Sequence, residues 1–444
     1  MMCSVCTVNY LLMLKKVILT GIIPGSPVFV HMPIIWRFFT HARFVMSTTV
    51  TRYFLSGKLK LCHHQIVLYG TSAASSKNDI YVVNLRSDTF TLPTSSMKKA
   101  MVEAHLGDDV YGEDPTVNRL QKECATLLGK DAALLIPTGT MGNTAAMLSH
   151  CHGLFEEILL GDQSHMHFGE VGAIATLAGI HSRTVTNKCD GTMDINELRE
   201  KIRIKKDPHY PQTRVICLEN THNRCGGTIL PLNFLEQVRD VADAHHLAMH
   251  LDGARLMHAA VAQEVAPCEI AQYFDSVSMC FSKGLACPVG SILAGSKDFI
   301  ERALWARKAL GGGMRQAGVI AAPMLVALNE IVPHLREDHA RARKIAQAIV
   351  DVKENNFLKL NMELVQTNIG MLHMDCNIST RKLCERLTQV TDEEFEVLGE
   401  RISVQMMPFS DTLIRFVTYY GITDKDVDKA IKKLQYVLTG MSTC

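Results

Sequence analysis

Lysine, aspartate, arginine and histidine recur in this chain just after short apolar runs, where a buried strand would end. Lys283 follows residues 276–280 in Phe281-Ser282-Lys283-Gly284, and Asp252 and Arg255 follow residues 247–251 in Asp252-Gly253-Ala254-Arg255. His222 follows residues 215–218 in Glu219-Asn220-Thr221-His222-Asn223, and His165 follows residues 158–160 in Gly161-Asp162-Gln163-Ser164-His165. A fifth run, residues 133–136, leads into Pro137-Thr138-Gly139-Thr140-Met141-Gly142-Asn143, a turn opening a helix. Free amides at such a start, backed by the helix dipole, bind anions. The turn lacks the Gly-Lys-Ser/Thr of a nucleoside triphosphate loop, so a monophosphate fits it better. A lysine can form an imine with an aldehyde, an aspartate can keep a pyridinium protonated, an imidazole can stack on a ring, and a helix start can hold a phosphate. Together these are the demands of pyridoxal phosphate.

Each residue taken singly also has an ordinary role. Lys283 could be a solvated loop lysine, Asp252 the cap of a helix beginning at Gly253, Arg255 a surface charge, His222 a turn residue, and Gly139 and Thr140 a plain helix start. Complementary roles in one layer favour an enzyme site. His165 and His167 form His-x-His, but no further ligands accompany them and no metal site is expected.

The elements that must position these residues alternate. Apolar runs rich in Ile, Val and Leu are separated by segments of helical spacing; the one opening at Pro231, read as a first-turn proline, sets Leu235, Val238 and Ala242 on one face. Repeated strand then helix implies βαβ units around a buried parallel sheet, hence an α/β class. Ligands then gather at the carboxyl ends of the strands. Residues 301–350 read as a run of helices. Strand, helix, strand, helix follow (residues 370–375, 402–406, 414–419 and 424–438), which predicts a small α+β lobe. The expected organisation is a leader over 1–78, a large α/β domain over 79–330, and connecting helices with the C-terminal α+β domain over 331–444.

Seven segments in order carry a family resemblance: Asn84-Leu85-Arg86-Ser87-Asp88-Thr89, Gly107-Asp108-Asp109-Val110-Tyr111-Gly112, Pro137-Thr138-Gly139-Thr140, Glu219-Asn220-Thr221-His222-Asn223, Asp252-Gly253-Ala254-Arg255, Ser282-Lys283-Gly284 and Gly311-Gly312-Gly313-Met314-Arg315-Gln316. The chain resembles the low-specificity L-threonine aldolases, which belong with the β-eliminating lyases of the aspartate-aminotransferase-like PLP fold (fold type I). The resemblance implies a large, mainly parallel sheet domain with a small C-terminal domain. It also implies pyridoxal phosphate as cofactor, and retro-aldol cleavage of L-threonine or L-allo-threonine to glycine and acetaldehyde. By motif, Lys283 resembles the lysine that bonds the cofactor, Asp252 the partner of the pyridine nitrogen, and His165 the stacking histidine. Gly139, Thr140 and Met141 resemble the phosphate turn. Ser87, Arg255 and Arg415 are similar to the groups holding the substrate carboxylate, and His222 to the histidine facing the substrate hydroxyl. Arg315 follows a glycine run suited to a subunit contact beside the cofactor. Gly169 departs from relatives that carry an aromatic residue there.

Composition narrows the partners. The 444 residues carry 46 Lys+Arg against 45 Asp+Glu, a net charge of +1, with no basic excess to attract nucleic acid. Residues 1–78 hold eight of the basic residues and no acidic ones, leaving 38 basic against 45 acidic in the rest. An acid-free, Ser/Thr-containing basic leader has the composition of a mitochondrial transit peptide, especially from Met46 onward, so a mitochondrial location is expected ahead of a cytoplasmic one. The uncharged stretch 17–36 is interrupted by Pro24, Pro27 and Pro33, so no membrane anchor is expected. The 14 cysteines are scattered, several in apolar runs (Cys217, Cys280, Cys287), which suits reduced core thiols; Cys3-x-x-Cys6 is the only close pair. The expected partners are a small amino-acid substrate and further copies of the chain, as a dimer or tetramer. The rival readings are a PLP aminotransferase or another β-eliminating lyase, a catalytically silent protein that kept the fold, and a membrane-anchored protein resting on the leader alone.

Overall fold

The structure, a computed structural model, describes residues 80–441 apart from 153, 206, 354, 356 and 375–378. The basic leader, its Cys3-x-x-Cys6 pair and the apolar stretch 17–36 lie outside the described residues. A first strand, β1 (Tyr81–Asn84), precedes the seven strands of the main sheet: β2 (Ala132–Ile136), β3 (Glu156–Gly161), β4 (His181–Val185), β5 (Gln212–Glu219), β6 (Ala248–Asp252), β7 (Ser276–Cys280) and β8 (Ser291–Gly295). Their order across the sheet is β2-β8-β7-β6-β5-β3-β4. All run parallel except β8, which is antiparallel to both its neighbours.

All five apolar runs of the sequence analysis are strands of this sheet. Central β3, β7 and β8 are buried along their whole length, the state in which a strand reads as a continuous apolar run rather than an alternating one. Sequence reading missed β4, whose His-Ser-Arg-Thr-Val is polar because it lies at the sheet edge, and β8, whose Ser-Ile-Leu-Ala-Gly follows β7 with no helix between the two strands. The helix after β5 runs Leu232–Ala244, with Pro231 preceding its first turn as N-cap instead of lying within it; Leu235, Val238 and Ala242 bury as their spacing predicts.

The helices Gly318–Glu330 and Leu335–Val350, joined by the turn Val332–His334, lead to the small lobe. There β9 (Leu358–Lys359), β10 (Ile369–Met374), β12 (Met407–Pro408) and β13 (Leu413–Val417) form an antiparallel sheet in the order β12-β13-β10-β9. Residues 402–406, expected within the C-terminal lobe, contain the strand β11 (Ile402–Gln405), which stands apart from that sheet and pairs in parallel with β1. Val83 and Leu85 accordingly bury with Ile345, Leu372, Phe416 and Leu434 in the core of the small lobe. A segment that sequence order assigns to the large domain thus packs with the other end of the chain. Among the described residues no single helix is long and apolar enough to cross a membrane.

Candidate active site

The carboxyl ends of β2, β3, β5, β6 and β7 open on the same edge of the sheet, because these strands are parallel. Asp252, the last residue of β6, is 3% exposed. Its Oδ2 accepts from the Asn143 amide at 3.0 Å and its Oδ1 from the Ala254 N–H at 3.2 Å. The helix expected to begin at Gly253 starts later, at Leu256. The carboxylate therefore does not cap that helix, and each oxygen keeps a lone pair for a further donor.

His165 opens the short helix His165–Phe168. Its backbone N–H donates to Glu219 Oε2 at 2.6 Å, and its Nδ1 lies 3.1 Å from Glu170 Oε1. That bond to Glu170, ahead of the cost of burial, raises the imidazole pKa above its ordinary value. Glu170 is 2% exposed and also accepts from Asn143 at 2.9 Å; burial holds its carboxyl above the usual range. The ligand atoms of His165, Glu170 and Asp252 lie within 4.8 Å of one another. Asn143 donates to both carboxylates. A Cβ at Gly169 would stand 2.5 Å from His165 Nε2, so the position read as a departure is one that gives the ring its room.

The helix after β2 runs Gly139–His150, capped by Thr138, whose Oγ1 accepts from the Met141 N–H at 3.2 Å. The cap takes one of the three expected phosphate-turn amides, leaving those of Gly139 and Thr140 for an anion. The turn lies tight against the sheet: a Cβ at Gly139 would come within 2.6 Å of Cys280 Sγ, and one at Gly142 within 2.9 Å of Ser278 Oγ. Lys283 follows β7 on the segment that leads to β8. Its carbonyl accepts from the Thr91 hydroxyl at 3.1 Å, and its ammonium acts electrostatically on Asp88 and His165.

His222 is 2% exposed with both ring nitrogens lacking a protein partner. On the neighbouring residue, Asn223 Oδ1 accepts from Arg415 Nη1 at 2.6 Å. Arg415 lies on β13 opposite Met371 of β10, and its flanking Ile414 and Phe416 point into the small-lobe core. By strand alternation its guanidinium faces the other way, toward the large domain. It is 6% exposed, its Nη2 donates to the Arg86 carbonyl at 3.1 Å, and its Nε has no partner. Burial, with Arg255 nearby, pulls its pKa down to about 10.

Two of the predicted residues already have charged protein partners. Arg255 holds both oxygens of buried Asp88 with Nε and Nη2, at 2.6 and 2.7 Å, so only its Nη1 is left to meet a ligand. Arg315, read as lying at a subunit contact, has a side chain 54% exposed on this chain and pairs with Asp108 at 3.0 Å. Ser87 is buried, and its Oγ accepts from the Thr89 N–H and hydroxyl. Sequence reading gave no role to Asn143, Glu170, Glu219 or Asp88. For Glu170 the only signal was an acid five residues after His165; for Asn143 it was an amide one turn into the phosphate helix.

The residues present fit pyridoxal phosphate. Buried polar atoms normally find partners, yet His222 Nδ1 and Nε2 and Thr221 Oγ1, just beyond the end of β5, and Ser278 Oγ, within β7, have none among the described residues. A ligand with polar groups would satisfy them. The chain matches the beta-eliminating lyase family over residues 84–377. It belongs to that family. It is 41% identical over 360 residues to low-specificity L-threonine aldolase 1 of Arabidopsis thaliana, covering 81% of this chain and 97% of that protein. Against the low specificity L-threonine aldolase of Escherichia coli K12 it is 38% identical over 343 residues, covering 77% and 95%. The threonine aldolase structure from Leishmania major superposes with a TM-score of 0.65 at 17% identity, covering 80% of this chain and 99% of that one. This last likeness is one of fold, the PLP fold type I, with its large, mostly parallel sheet and small C-terminal lobe. Membership in the family makes the chain a carbon–carbon lyase, and the silent and non-enzymatic readings fall away.

Proposed function

We propose that this beta-eliminating lyase cleaves β-hydroxy-α-amino acids, L-threonine and L-allo-threonine, to glycine and acetaldehyde with pyridoxal phosphate as cofactor. The observation that carries the reading is the meeting of two incomplete groups across the lobes. Arg415 is a buried guanidinium with no carboxylate paired to it among the described residues, and it holds the loop whose adjacent residue, His222, has both ring nitrogens unengaged. The substrate class supplies what each lacks: a carboxylate for Arg415 and a hydroxyl proton for His222.

Lys283 is the amine for the cofactor aldehyde, Asp252 the carboxylate for the pyridine nitrogen, His165 the ring that stacks, and the amides of Gly139 and Thr140 the phosphate donors. Pyridoxal phosphate, when bound, supplies an electron sink for the Cα–Cβ bond. Arg415 grips the substrate carboxylate through two parallel N–H bonds, which fixes the direction of that bond as well as the charge. Ser87 contributes a hydroxyl beside it. His222 accepts the β-hydroxyl proton at a ring nitrogen and so assists scission as general base. Glu170 accepts from His165 Nδ1 and fixes the plane of that ring.

Purified protein incubated with L-threonine and L-allo-threonine should release equal glycine and acetaldehyde, and Lys283→Ala should abolish the borohydride-reducible cofactor bond. Ammonia or a keto acid in place of acetaldehyde would overturn the reading in favour of another lyase or an aminotransferase. The basic leader supports a mitochondrial destination, which import into isolated mitochondria with loss of the leader tests. The exposed Tyr111, Phe168 and Val171 support assembly as a homo-oligomer, measured by light scattering.

A further inference from the structure

Behind the two carboxylates of the site runs a buried chain of hydrogen bonds that the reaction itself does not call upon. The Asn143 amide nitrogen donates to Asp252 and Glu170, and its Oδ1 lies 3.1 Å from His250 Nε2. His250 Nδ1 lies 2.8 Å from Ser276 Oγ, which lies 2.6 Å from His150 Nε2. Asn143 and His150 are two turns apart on the helix Gly139–His150, while His250 and Ser276 are on the adjoining strands β6 and β7. His250 and Ser276 have no solvent exposure and Asn143 has 1%.

Donor and acceptor roles along this chain are not free. Burial lowers the pKa of His250 to about 3 and of His150 to about 4, so both rings are neutral and each carries one N–H. If the Asn143 amide faces the carboxylates, its oxygen must accept from His250 Nε2–H. The bare His250 Nδ1 then accepts the Ser276 hydroxyl proton, and Ser276 Oγ accepts from His150 Nε2–H. Reversal would set the Asn143 oxygen against two carboxylate oxygens, which repel it. The chain therefore has one direction when those carboxylates are charged.

We infer that Asn143 is a positioning residue that holds Asp252 and Glu170 in one geometry, and that His250 and Ser276 act through it by setting which way its amide faces. Asp252 is thereby tied to the carboxylate that orients His165, so the groups assigned to the cofactor's nitrogen and to its face are fixed together. The inference rests on the assignment of Asp252 and His165 made above.

His250→Leu removes the donor to Asn143, and His250→Gln keeps an amide that can replace it. The readouts are titration of apoprotein with pyridoxal phosphate followed by visible absorption, thermal unfolding of the apoprotein, and kinetics on L-allo-threonine. In His250→Leu the cofactor Kd should rise about tenfold, the range for weakening a hydrogen bond to a charged group, and kcat should fall by a similar factor with little change in KM. His250→Gln should recover most of both losses. Asn143→Ala should move the same readouts in the same direction, and it stands in should His250→Leu fail to fold. Wild-type cofactor affinity and kcat in a folded His250→Leu or Asn143→Ala protein would overturn the inference. So would apoprotein destabilisation with unchanged cofactor affinity, or His250→Gln no better than His250→Leu. Wild-type protein that takes up no pyridoxal phosphate would overturn the site assignment itself.

Discussion

Arg415 has no carboxylate paired to it among the described residues, while Arg255, a neighbour of similar burial, is clasped by Asp88. The two arginines therefore differ in what they can do for a substrate. Arg415→Lys keeps the charge and loses the fork, so kcat/KM on L-allo-threonine should drop about 100-fold with cofactor content unchanged. Measured kinetics within twofold of wild type would remove Arg415 from the substrate. Gly169 is the second telling residue. An alanine there must push the His165 ring, whose Nε2 lies 2.5 Å from the added carbon, yet the segment can keep its backbone because Gly169 has a φ of −100°. Gly169→Ala should unfold near the wild-type temperature while losing about 10- to 100-fold in kcat, the cost of displacing a group beside the reacting centre. An unaltered cofactor spectrum together with full activity would show that the ring has slack.

The helix Leu335–Val350 buries one acid where an apolar residue would serve. Asp338 is 1% exposed, neither carboxylate oxygen has a hydrogen-bond partner, and the nearest cation, Arg341, is 3.9 Å away. Burial pushes this carboxyl from its ordinary 3.8 up to about 7. In the unfolded chain it ionises near its ordinary value, so folding takes up a proton between the two values and stability falls as pH rises through that window. Asp338→Asn removes this dependence: it should raise the unfolding temperature at pH 8 by several degrees and give no gain at pH 4. Scanning both proteins at the two pH values checks the sign, and a gain confined to pH 4 would contradict it. Asp88 behaves oppositely. The charge and hydrogen bonds of Arg255 outweigh burial and hold its carboxyl well below the usual range, so the stability of that pair is lost only in strong acid.

The fold is closed by its two ends, since β1 at the start of the described chain pairs with β11 near its finish. Protein beginning at Asp79 should therefore fold and cleave substrate like the full chain, whereas protein beginning at Ser87 should be insoluble or several kcal/mol less stable. The second truncation removes Val83 and Leu85, both at or below 1% exposed, each worth about 1.5–3 kcal/mol, and leaves β11 unpaired. Denaturant unfolding of the two truncated proteins measures the difference. Equal stability would mean that β1 only decorates the lobe.

The strands bearing Asp252, Lys283, His165 and His222 were legible because a buried parallel strand is a short apolar run and the polar residue after it is local information. The phosphate turn and the α/β class were legible for the same reason. Pairing was not. Asp88 meets Arg255 across 167 positions, Arg415 meets Asn223 across 192, and Asn143 meets His250 across 107. Periodicity and capping act over one or two turns of chain, and they contain nothing about which distant charge will lie opposite. The chain order likewise put β1 in the large domain and β11 in the C-terminal sheet, whereas hydrogen bonding joins the two. From the sequence alone came the groups and their chemistry. Tertiary packing decided which of them are already clasped by an opposite charge, as Arg255 is by Asp88, and which are held buried and incomplete for a ligand, as Arg415 and His222 are, because burial raises the cost of an unmet charge or donor only once the surrounding elements exclude water.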